Sequence, residues 1–361
     1  MLFDSHAHLN NADMTREDRL QMVAQIEATR SAPSEEGPSC QESADRSQPV
    51  AGAATESADQ PTARLDYVMD IGFDPDSSAL AVRHAQTYEW CYAVVGCHPH
   101  DAKLMDEEQL ERIRQLAGQP KVCAVGEIGL DFHYDLSERD VQREWFRRQI
   151  RLANELRMPI CIHAREADQE VMDILVEEGA FSEERLSWFP KRPDPTGFCK
   201  GRSAGWWEIP EATADQSASA ANQSNVPADQ SASAARSSAA NAPAGVTGDA
   251  RVLLHCFSGS AELGKQYVRM GATLSVAGPV TYKNNKKTVA MVDAIPIDFL
   301  LVETDSPYLS PVPKRGKPNT PPNVEFTARK VAEIKGIPFE AAAAKTKENA
   351  MRFYGIVVRE L

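Results

Sequence analysis

The sequence predicts an α/β fold, a (β/α)8 TIM barrel interrupted by two low-complexity inserts. The first observation is that short aliphatic or β-branched runs, which predict buried parallel strands, recur eight times along the chain. The second is that amphipathic segments, which predict helices, separate these runs, and this alternation favours a closed barrel over a doubly wound sheet. The third is length, because roughly 260 residues remain without the inserts, close to the ~250 typical of such a barrel.

The predicted elements follow one another regularly. The strand predictions are Met1–Ser5, Leu65–Ile71, Tyr92–Cys97, Lys121–Glu127, Met158–His163, Arg251–His255, Ala272–Val276 and Phe299–Glu303. The helix predictions, whose apolar residues recur at helical spacing, are Thr15–Thr29, Asp76–Glu89, Glu107–Leu116, Ser137–Leu156, Ala167–Glu178, Ala261–Met270, Asn284–Ala294, Asn323–Ile334 and Pro338–Tyr354. Together they predict that residues 1–361 form a single domain.

Two inserts interrupt this pattern, at residues 31–62 and 181–250. Both are rich in small and polar residues, and the second repeats the same eight residues at Ala214–Ala221 and Ala228–Ala235. Such composition buries too little apolar surface to offset the entropy of ordering, which predicts disorder. The first half of the second insert differs, because it carries three of the chain's five tryptophans. We expect that half to fold locally or to dock on the barrel.

The position of the inserts predicts where they emerge. Each follows a predicted helix and precedes a predicted strand, so each leaves the barrel at its amino-terminal face. Catalytic sites in these barrels lie at the opposite face. We therefore expect the inserts to be tethers or binding sites for a protein partner, the segment 181–250 in particular, rather than an active-site lid.

Composition excludes some classes of function. Hydrophobic residues make up 42% of the chain, enough for a large core, and the net charge of −13 argues against broad electrostatic capture of nucleic acid. A local basic groove remains compatible with that charge. Seven cysteines without a Cys-x-x-Cys motif predict reduced thiols. No apolar run is long enough to predict an export signal or a membrane span, so we expect a cytoplasmic protein.

Six metal-ligating side chains stand at the ends of the predicted strands. They are His6, His8, Glu127, His163, His255 and Asp305. A lone His-x-His is usually a pair of ordinary loop residues, and a lone buried glutamate usually has a basic partner. Here the carboxyl ends of parallel strands meet at one mouth, so all six are expected to converge there. Imidazole and carboxylate bind zinc, manganese and related divalent ions, so the sequence predicts a metal site.

Other polar residues are expected at the same mouth. His98 and His100 follow the third predicted strand, where they either contact a phosphate or serve only as turn residues. Arg165 and Arg315 follow the fifth and the eighth strand, and arginine binds phosphate through two parallel hydrogen bonds. The segment Tyr282–Lys287 adds a small basic patch that could follow a nucleic-acid backbone. His98, His100, Arg165 and Arg315 are the predicted substrate-binding residues.

The chain resembles the TatD family of metal-dependent deoxyribonucleases, which have amidohydrolase-type barrels. The resemblance covers the chain apart from the two inserts. It rests on Asp4–Leu9, Gly96–His100, Gly126–Asp131, Ile162–Ala167, His255–Gly259, Glu303–Leu309 and Arg315–Asn319. A TIM barrel of the metal-dependent hydrolase type is the fold that this resemblance implies.

The resemblance also implies an activity and a role for each ligand. It implies a hydrolase with two divalent ions that cleaves phosphodiester bonds of DNA, as a 3′→5′ exonuclease or endonuclease, by a metal-activated water. His6, His8 and Asp305 would hold one ion, His163 and His255 would hold the other, and Glu127 would bridge them. Asp305 would also orient the water or take its proton. Mg²⁺, Mn²⁺ and Zn²⁺ all suit such ligands, and the substrate could be DNA or RNA.

Three alternatives stay open at this point. Barrels of this type also cleave amides, lactones and phosphotriesters of small molecules, many with a carboxylated lysine where this chain has Glu127. A deacylase acting on aminoacyl-tRNA is a second alternative. A non-catalytic scaffold is the third, although the presence of all six ligand residues weighs against it. The fold alone does not decide among them.

Overall fold

The structure is a computed structural model that describes residues 1–11, 13–31, 60–199 and 245–357. Its ten strands, β1 to β10, are Leu2–Ala7, Leu65–Ile71, Cys91–Val95, Val122–Asp131, Ile160–Arg165, Arg192–Asp194, Gly245–Thr247, Val252–Leu254, Thr273–Val276 and Leu300–Val302. Eight of them form one parallel sheet in the order β1-β2-β3-β4-β5-β8-β9-β10. A parallel bridge joins Ala7 of β1 to Ser306, which follows β10, so the two ends of the sheet meet. This arrangement confirms the predicted (β/α)8 barrel.

Ten helices accompany the strands in the described ranges. Helices α1 to α10 are Arg16–Ser31, Pro75–Thr87, Glu107–Ala117, Arg139–Leu156, Asp168–Glu177, Glu183–Trp188, Ala261–Met270, Lys286–Ala294, Val324–Lys335 and Phe339–Tyr354. Their boundaries follow local sequence signals. Helix α2, for example, begins after Asp74, whose Oδ1 accepts a hydrogen bond of 2.7 Å from the backbone N–H of Ser77. Within the described residues, none of the helices combines the length and the apolar character needed to cross a bilayer.

The hydrophobic core has two layers. The larger layer lies between the strands and the surrounding helices, and the smaller one fills the barrel interior with alternate residues of the strands, among them Phe3, Met69 and Leu301. Helix α10 belongs to the interior layer, because Phe353 and Tyr354 pack into it and the Tyr354 hydroxyl donates to the Ser5 carbonyl at 2.9 Å. The interior is therefore solid, and open space for chemistry is confined to the barrel mouth.

Several ligand-bearing segments differ from their predicted boundaries. Strand β4 continues to Asp131, so Glu127 lies inside it rather than at its end, and His163 likewise lies inside β5. By contrast, β8 and β10 have only three residues each, and His255 and Asp305 follow them in the loops. The hydrophobic pattern of the sequence could not predict where these strands end. Polar residues that point into the mouth interrupt the apolar runs without ending the strands.

The two predicted inserts lie largely outside the described residues. For the second insert, residues 181–199 and 245–250 are described, and they form α6 and the antiparallel pair β6 and β7. Arg185 of α6 donates to the carbonyls of Ala250 and Met158. Ala250 lies just before β8, and Met158 lies just before β5. This part of the insert therefore docks at the amino-terminal end of the barrel, as its position between a helix and a strand predicts. Most of the residues for which the sequence predicts disorder lie outside the described ranges.

Candidate metal centre

The barrel brings the predicted ligands together at the carboxyl ends of its strands. Three groups of side chains could each hold a metal ion, because the ligand atoms within each group lie within 4.8 Å of one another. They are His6 with His8 and Asp305, His6 with Glu127 and His255, and His98 with Glu127 and His163. Six strands or their following loops contribute to these groups, and Glu127 belongs to two of the groups. The six predicted ligands thus form one cluster, which also includes His98.

One carboxylate oxygen of Glu127 faces the first two histidines. Its Oε2 lies 3.3 Å from His6 Nε2 and 3.7 Å from His8 Nε2. Asp305 Oδ1 lies 3.7 Å and 3.5 Å from the same two nitrogens. Two imidazoles and two carboxylates thus surround one point, and His6 Nε2 is buried without a hydrogen-bond partner. This donor set fits a divalent cation, which would supply the positive charge that the four groups share.

The other carboxylate oxygen of Glu127 faces a second set of histidines. Its Oε1 lies 2.7 Å from His255 Nε2, 2.9 Å from His163 Nδ1 and 3.5 Å from His98 Nε2. His163 Nδ1 and His255 Nε2 are also 3.2 Å apart. The two oxygens of a single carboxylate therefore face two different groups of nitrogen ligands. A carboxylate that bridges two cations has this arrangement.

Neighbouring groups orient the histidine rings. His8 Nδ1 lies 2.9 Å from the Ile71 carbonyl, which directs Nε2 toward the cluster. His255 Nδ1 lies 3.6 Å from Glu303 Oε1, and Glu303 in turn accepts a hydrogen bond from the backbone N–H of Cys256. Such partners fix the tautomer and the direction of a metal-binding imidazole.

Asp131 is a functional candidate that the sequence reasoning missed. This buried carboxylate, at the end of β4, lies 3.1 Å from His163 Nε2 and 2.9 Å from His100 Nε2. It thereby links a predicted metal ligand to a predicted substrate-binding residue. Strand periodicity could have identified it, because Glu127 and Asp131 are four residues apart and side chains of a strand alternate between its faces.

The four predicted substrate-binding residues lie at different depths. His98 is buried against Glu127, inside the ligand cluster rather than beside it. His100 is partly exposed and is held by Asp131. The Arg165 guanidinium lies over the Tyr134 ring at 4.6 Å from its centroid, and that of Arg315 lies over Tyr282 at 4.5 Å. The two arginines are therefore at the rim, and the two histidines lie below them.

The electrostatics favour ionised carboxylates in the cluster. Burial would raise the pKa of Glu127, but the surrounding imidazoles, with His255 as the largest contribution, hold it well below its ordinary value. The pKa of Asp305 is also lowered, because the hydrogen bond with His8 and nearby histidine charges outweigh burial. Both carboxylates are therefore anionic near neutral pH, as ligands or proton acceptors must be.

Two imidazoles of the cluster are held in the neutral form. Burial lowers the pKa of His6, and the neighbouring His255 lowers it further. Burial likewise lowers the pKa of His98 well below its ordinary value, with His163 as the next cause. A neutral imidazole has one lone pair. That of His98 lies on Nδ1, which accepts a hydrogen bond from the backbone N–H of His100, whereas His6 Nε2 has no hydrogen-bond partner and could bind a cation.

Backbone features bring the strands close enough for these contacts. Gly129 has a φ of 148°, and a Cβ placed there would lie 1.9 Å from the carbonyl oxygen of His163 on the neighbouring strand. Only glycine allows this approach of β4 to β5. Asp305 has a φ of 58°, uncommon for a non-glycine residue, and its N–H donates to the His6 carbonyl at 2.9 Å. Both features lie beside the cluster.

Known proteins resemble this chain over most of its length. The model of the family described as TatD related DNase matches residues 3–355. The chain is 33% identical over 356 residues to the "Uncharacterized metal-dependent hydrolase YabD" of Bacillus subtilis, covering 99% of this chain and 100% of that protein. It is 26% identical to the "3'-5' ssDNA/RNA exonuclease TatD" of Cronobacter sakazakii, covering 81% of this chain and 88% of the relative.

Solved structures show the same fold. YJJV, a TatD homologue from Escherichia coli K12, superposes with a TM-score of 0.66 at 18% identity, covering 99% of this chain and 98% of that one. A TatD family hydrolase from Entamoeba histolytica superposes with a TM-score of 0.62 at 16% identity, covering 98% and 97%. The family match over nearly the whole length, together with the YabD similarity, shows that this chain belongs to the TatD-related DNase family of metal-dependent hydrolases.

Proposed function

We propose that this protein hydrolyses phosphodiester bonds of DNA as a 3′→5′ exonuclease that uses two divalent ions. The observation that carries this proposal is that the two carboxylate oxygens of Glu127 face separate groups of histidines. The relative from Cronobacter sakazakii, named a 3'-5' ssDNA/RNA exonuclease, supports the choice of substrate. Phosphodiester hydrolysis needs positive charge on both sides of the reacting phosphorus, which such a divided site could supply.

The residues that would hold the ions follow from the contacts. His6, His8 and Asp305 would hold one ion, His163 and His255 would hold the other, and Glu127 would bridge them. His98 turns its Nε2 toward the same Glu127 oxygen as the second pair, while its Nδ1 accepts from the His100 N–H, so it would orient this carboxylate. When bound, two divalent ions supply Lewis-acid charge to a phosphate and acidify water.

The remaining residues would position the substrate and move a proton. Asp305, ionised and at the edge of the cluster, would accept the proton of the attacking water at its carboxylate. His100, whose Nε2 is held by Asp131, would contact the substrate beside the second group of ligands. Arg165 and Arg315, exposed at the rim, would bind the phosphates on either side.

The test is hydrolysis of end-labelled single-stranded DNA by the purified full-length protein. Separate reactions contain EDTA, magnesium, manganese or zinc. We expect no cleavage with EDTA and, with at least one ion, a ladder of products that shorten from the 3′ end. Absence of cleavage with every ion, in protein shown to bind two ions, would contradict the proposal and favour a hydrolase of another substrate.

A further inference from the structure

The mouth of the barrel carries an unusual share of exposed apolar surface. Eight large apolar or aromatic side chains are largely exposed in the described ranges, and five of them lie in the loops that follow β3, β4 and β10. These five are Leu104, Tyr134, Leu136, Tyr308 and Val312. Exposed apolar groups around a charged site usually contact a ligand, because leaving them in water has a cost. We call these residues the apolar rim.

On one side of the metal centre, the apolar rim presents the ring of Tyr134. This ring contacts the His100 imidazole edge-on, with centroids 5.5 Å apart, and the backbone N–H of Tyr134 donates to Asp131. Asp131 also contacts His163, so Tyr134 is one residue removed from the second group of ligands. The side chain nevertheless remains 53% exposed. Its position is therefore fixed while much of its surface is free.

On the other side, the apolar rim presents the ring of Tyr308. Its centroid lies 6.3 Å from that of His8, and its hydroxyl accepts a hydrogen bond of 2.7 Å from Asn11 Nδ2. Asn11 is itself buried, so it anchors the far end of the tyrosine. The side chain remains 51% exposed. Two anchored and exposed phenol rings thus flank opposite groups of the predicted metal ligands.

A guanidinium group accompanies the aromatic surface on both sides. Arg165 lies over Tyr134, and Arg315 lies over Tyr282, whose hydroxyl donates to the Ser310 carbonyl in the loop that carries Tyr308. An aromatic ring beside a cation suits a nucleotide, because the ring can stack on a base while the cation binds the adjoining phosphate. The net charge of the protein is −13, so a guanidinium beside an aromatic ring stands out locally. Such a pair suits an anionic ligand that also has flat apolar groups.

We propose that Tyr134 and Tyr308 stack on bases on the two sides of the phosphodiester that is cleaved. This inference rests on the proposed function and names the group that the substrate must offer, a base that is free to turn toward each ring. Because every base has a π-face, such stacking does not depend on the sequence. The two rings therefore contribute to the binding of bases, whereas the phosphate backbone is bound by other groups.

The experiment compares two single-stranded oligonucleotides in the metal-loaded full-length protein. One is oligothymidylate, and the other has the same phosphate backbone with abasic residues. kcat/KM is measured for the wild type, Tyr134→Ala, Tyr308→Ala and the ring-preserving variants Tyr134→Phe and Tyr308→Phe. Leu20→Ala is the matched control, because Leu20 is equally exposed, at 54%, but lies on α1 away from the mouth.

We expect each alanine variant to lower kcat/KM on oligothymidylate about tenfold, since base stacking on one aromatic ring has an effect of that order. The loss on the abasic strand should be several-fold smaller, the phenylalanine variants should stay within about threefold of the wild type, and the control should match it. Equal losses on both strands, or none, would overturn this inference alone. Failure of the wild type to cleave either strand would overturn the proposed function as well.

Discussion

Two clusters of buried charge lie at opposite ends of this barrel, and they are satisfied in different ways. At the amino-terminal end, the fully buried Arg192 donates to the carbonyls of Val268 and Ala272, and the fully buried Arg185 donates to two carbonyls and a side-chain amide. At the mouth, five histidines surround Glu127, and His6 Nε2 has no hydrogen-bond partner. In the first cluster, acceptors within the protein bind the terminal guanidinium nitrogens, although Arg192 Nε has no hydrogen-bond partner. The second cluster, in which only imidazoles and carboxylates meet, is complementary to a cation.

The difference shows how buried polar groups indicate function. A buried guanidinium needs several acceptors in a fixed plane, and backbone carbonyls at the starts of strands supply them, so the arginines serve the fold. Imidazoles and carboxylates that face one another across 3 to 4 Å leave lone pairs directed at a common point. A divalent cation at that point would bind these lone pairs. Four experiments test whether the cluster at the mouth serves catalysis and the amino-terminal end serves stability.

The largest expected effect is on catalysis. Asp305→Asn keeps the size of the side chain but removes an anionic ligand and proton acceptor, so we expect hydrolysis to fall by about 10²-fold or more. The free energy of unfolding should change little, because the amide occupies the same space. Initial rates and urea unfolding measure the two effects. Asp140→Asn, at a side chain that is 94% exposed, is the control and should behave as the wild type. Near-normal hydrolysis by Asp305→Asn would contradict the assigned role.

The second effect concerns stability alone. Arg192→Met removes the guanidinium donor from the buried carbonyls of Ala272 and Val268, of which Val268 keeps a hydrogen bond from the Gly271 N–H, so we expect the free energy of unfolding to fall by about 2 kcal/mol. Hydrolysis per folded molecule should remain within about twofold of the wild type. Urea unfolding is the measurement, and Arg83→Met, at an exposed position of α2, is the matched control. A stable Arg192→Met variant with impaired hydrolysis would mean that the arginine cluster is not merely structural.

The third effect is the response to metal removal. A cation that binds only the folded protein stabilises it by about 2.7 kcal/mol at one hundred times its dissociation constant. We therefore expect EDTA to lower the thermal unfolding midpoint by several degrees. Differential scanning calorimetry should show a smaller shift in Asp305→Asn and the full shift in Arg192→Met. Loss of the shift in Arg192→Met would show that the two clusters are coupled rather than independent.

The smallest expected effect comes from the second insert. Asp194 of β6 pairs with Gly245 of β7, so a short Gly-Ser linker between Cys199 and Gly245 could replace residues 200–244. Because the described part of the insert docks at the amino-terminal end, we expect the hydrolysis rate to change less than twofold. Steady-state kinetics with the same oligonucleotide is the measurement. A tenfold loss would indicate that this segment reaches the mouth.

Much of the fold could be predicted from local patterns. Alternating aliphatic runs and amphipathic segments were enough to place eight barrel strands, because burial on both faces of a parallel sheet leaves a strong hydrophobic signal. Polar ligands at the ends of those runs predicted the location of the metal centre, since parallel strands bring their carboxyl ends to one mouth. The sequence alone therefore determined the architecture and the six predicted ligand residues that meet at the mouth.

The tertiary structure decided how those residues meet. It placed His98 against Glu127 and not at the rim, and it showed Asp131 between His100 and His163. It also showed that Glu127 directs its two oxygens to different histidines. Hydrophobic periodicity reports only which side of a strand is buried. The distances between side chains depend on strand register, on the close approach at Gly129 and on the left-handed backbone of Asp305, which arise only when the barrel closes.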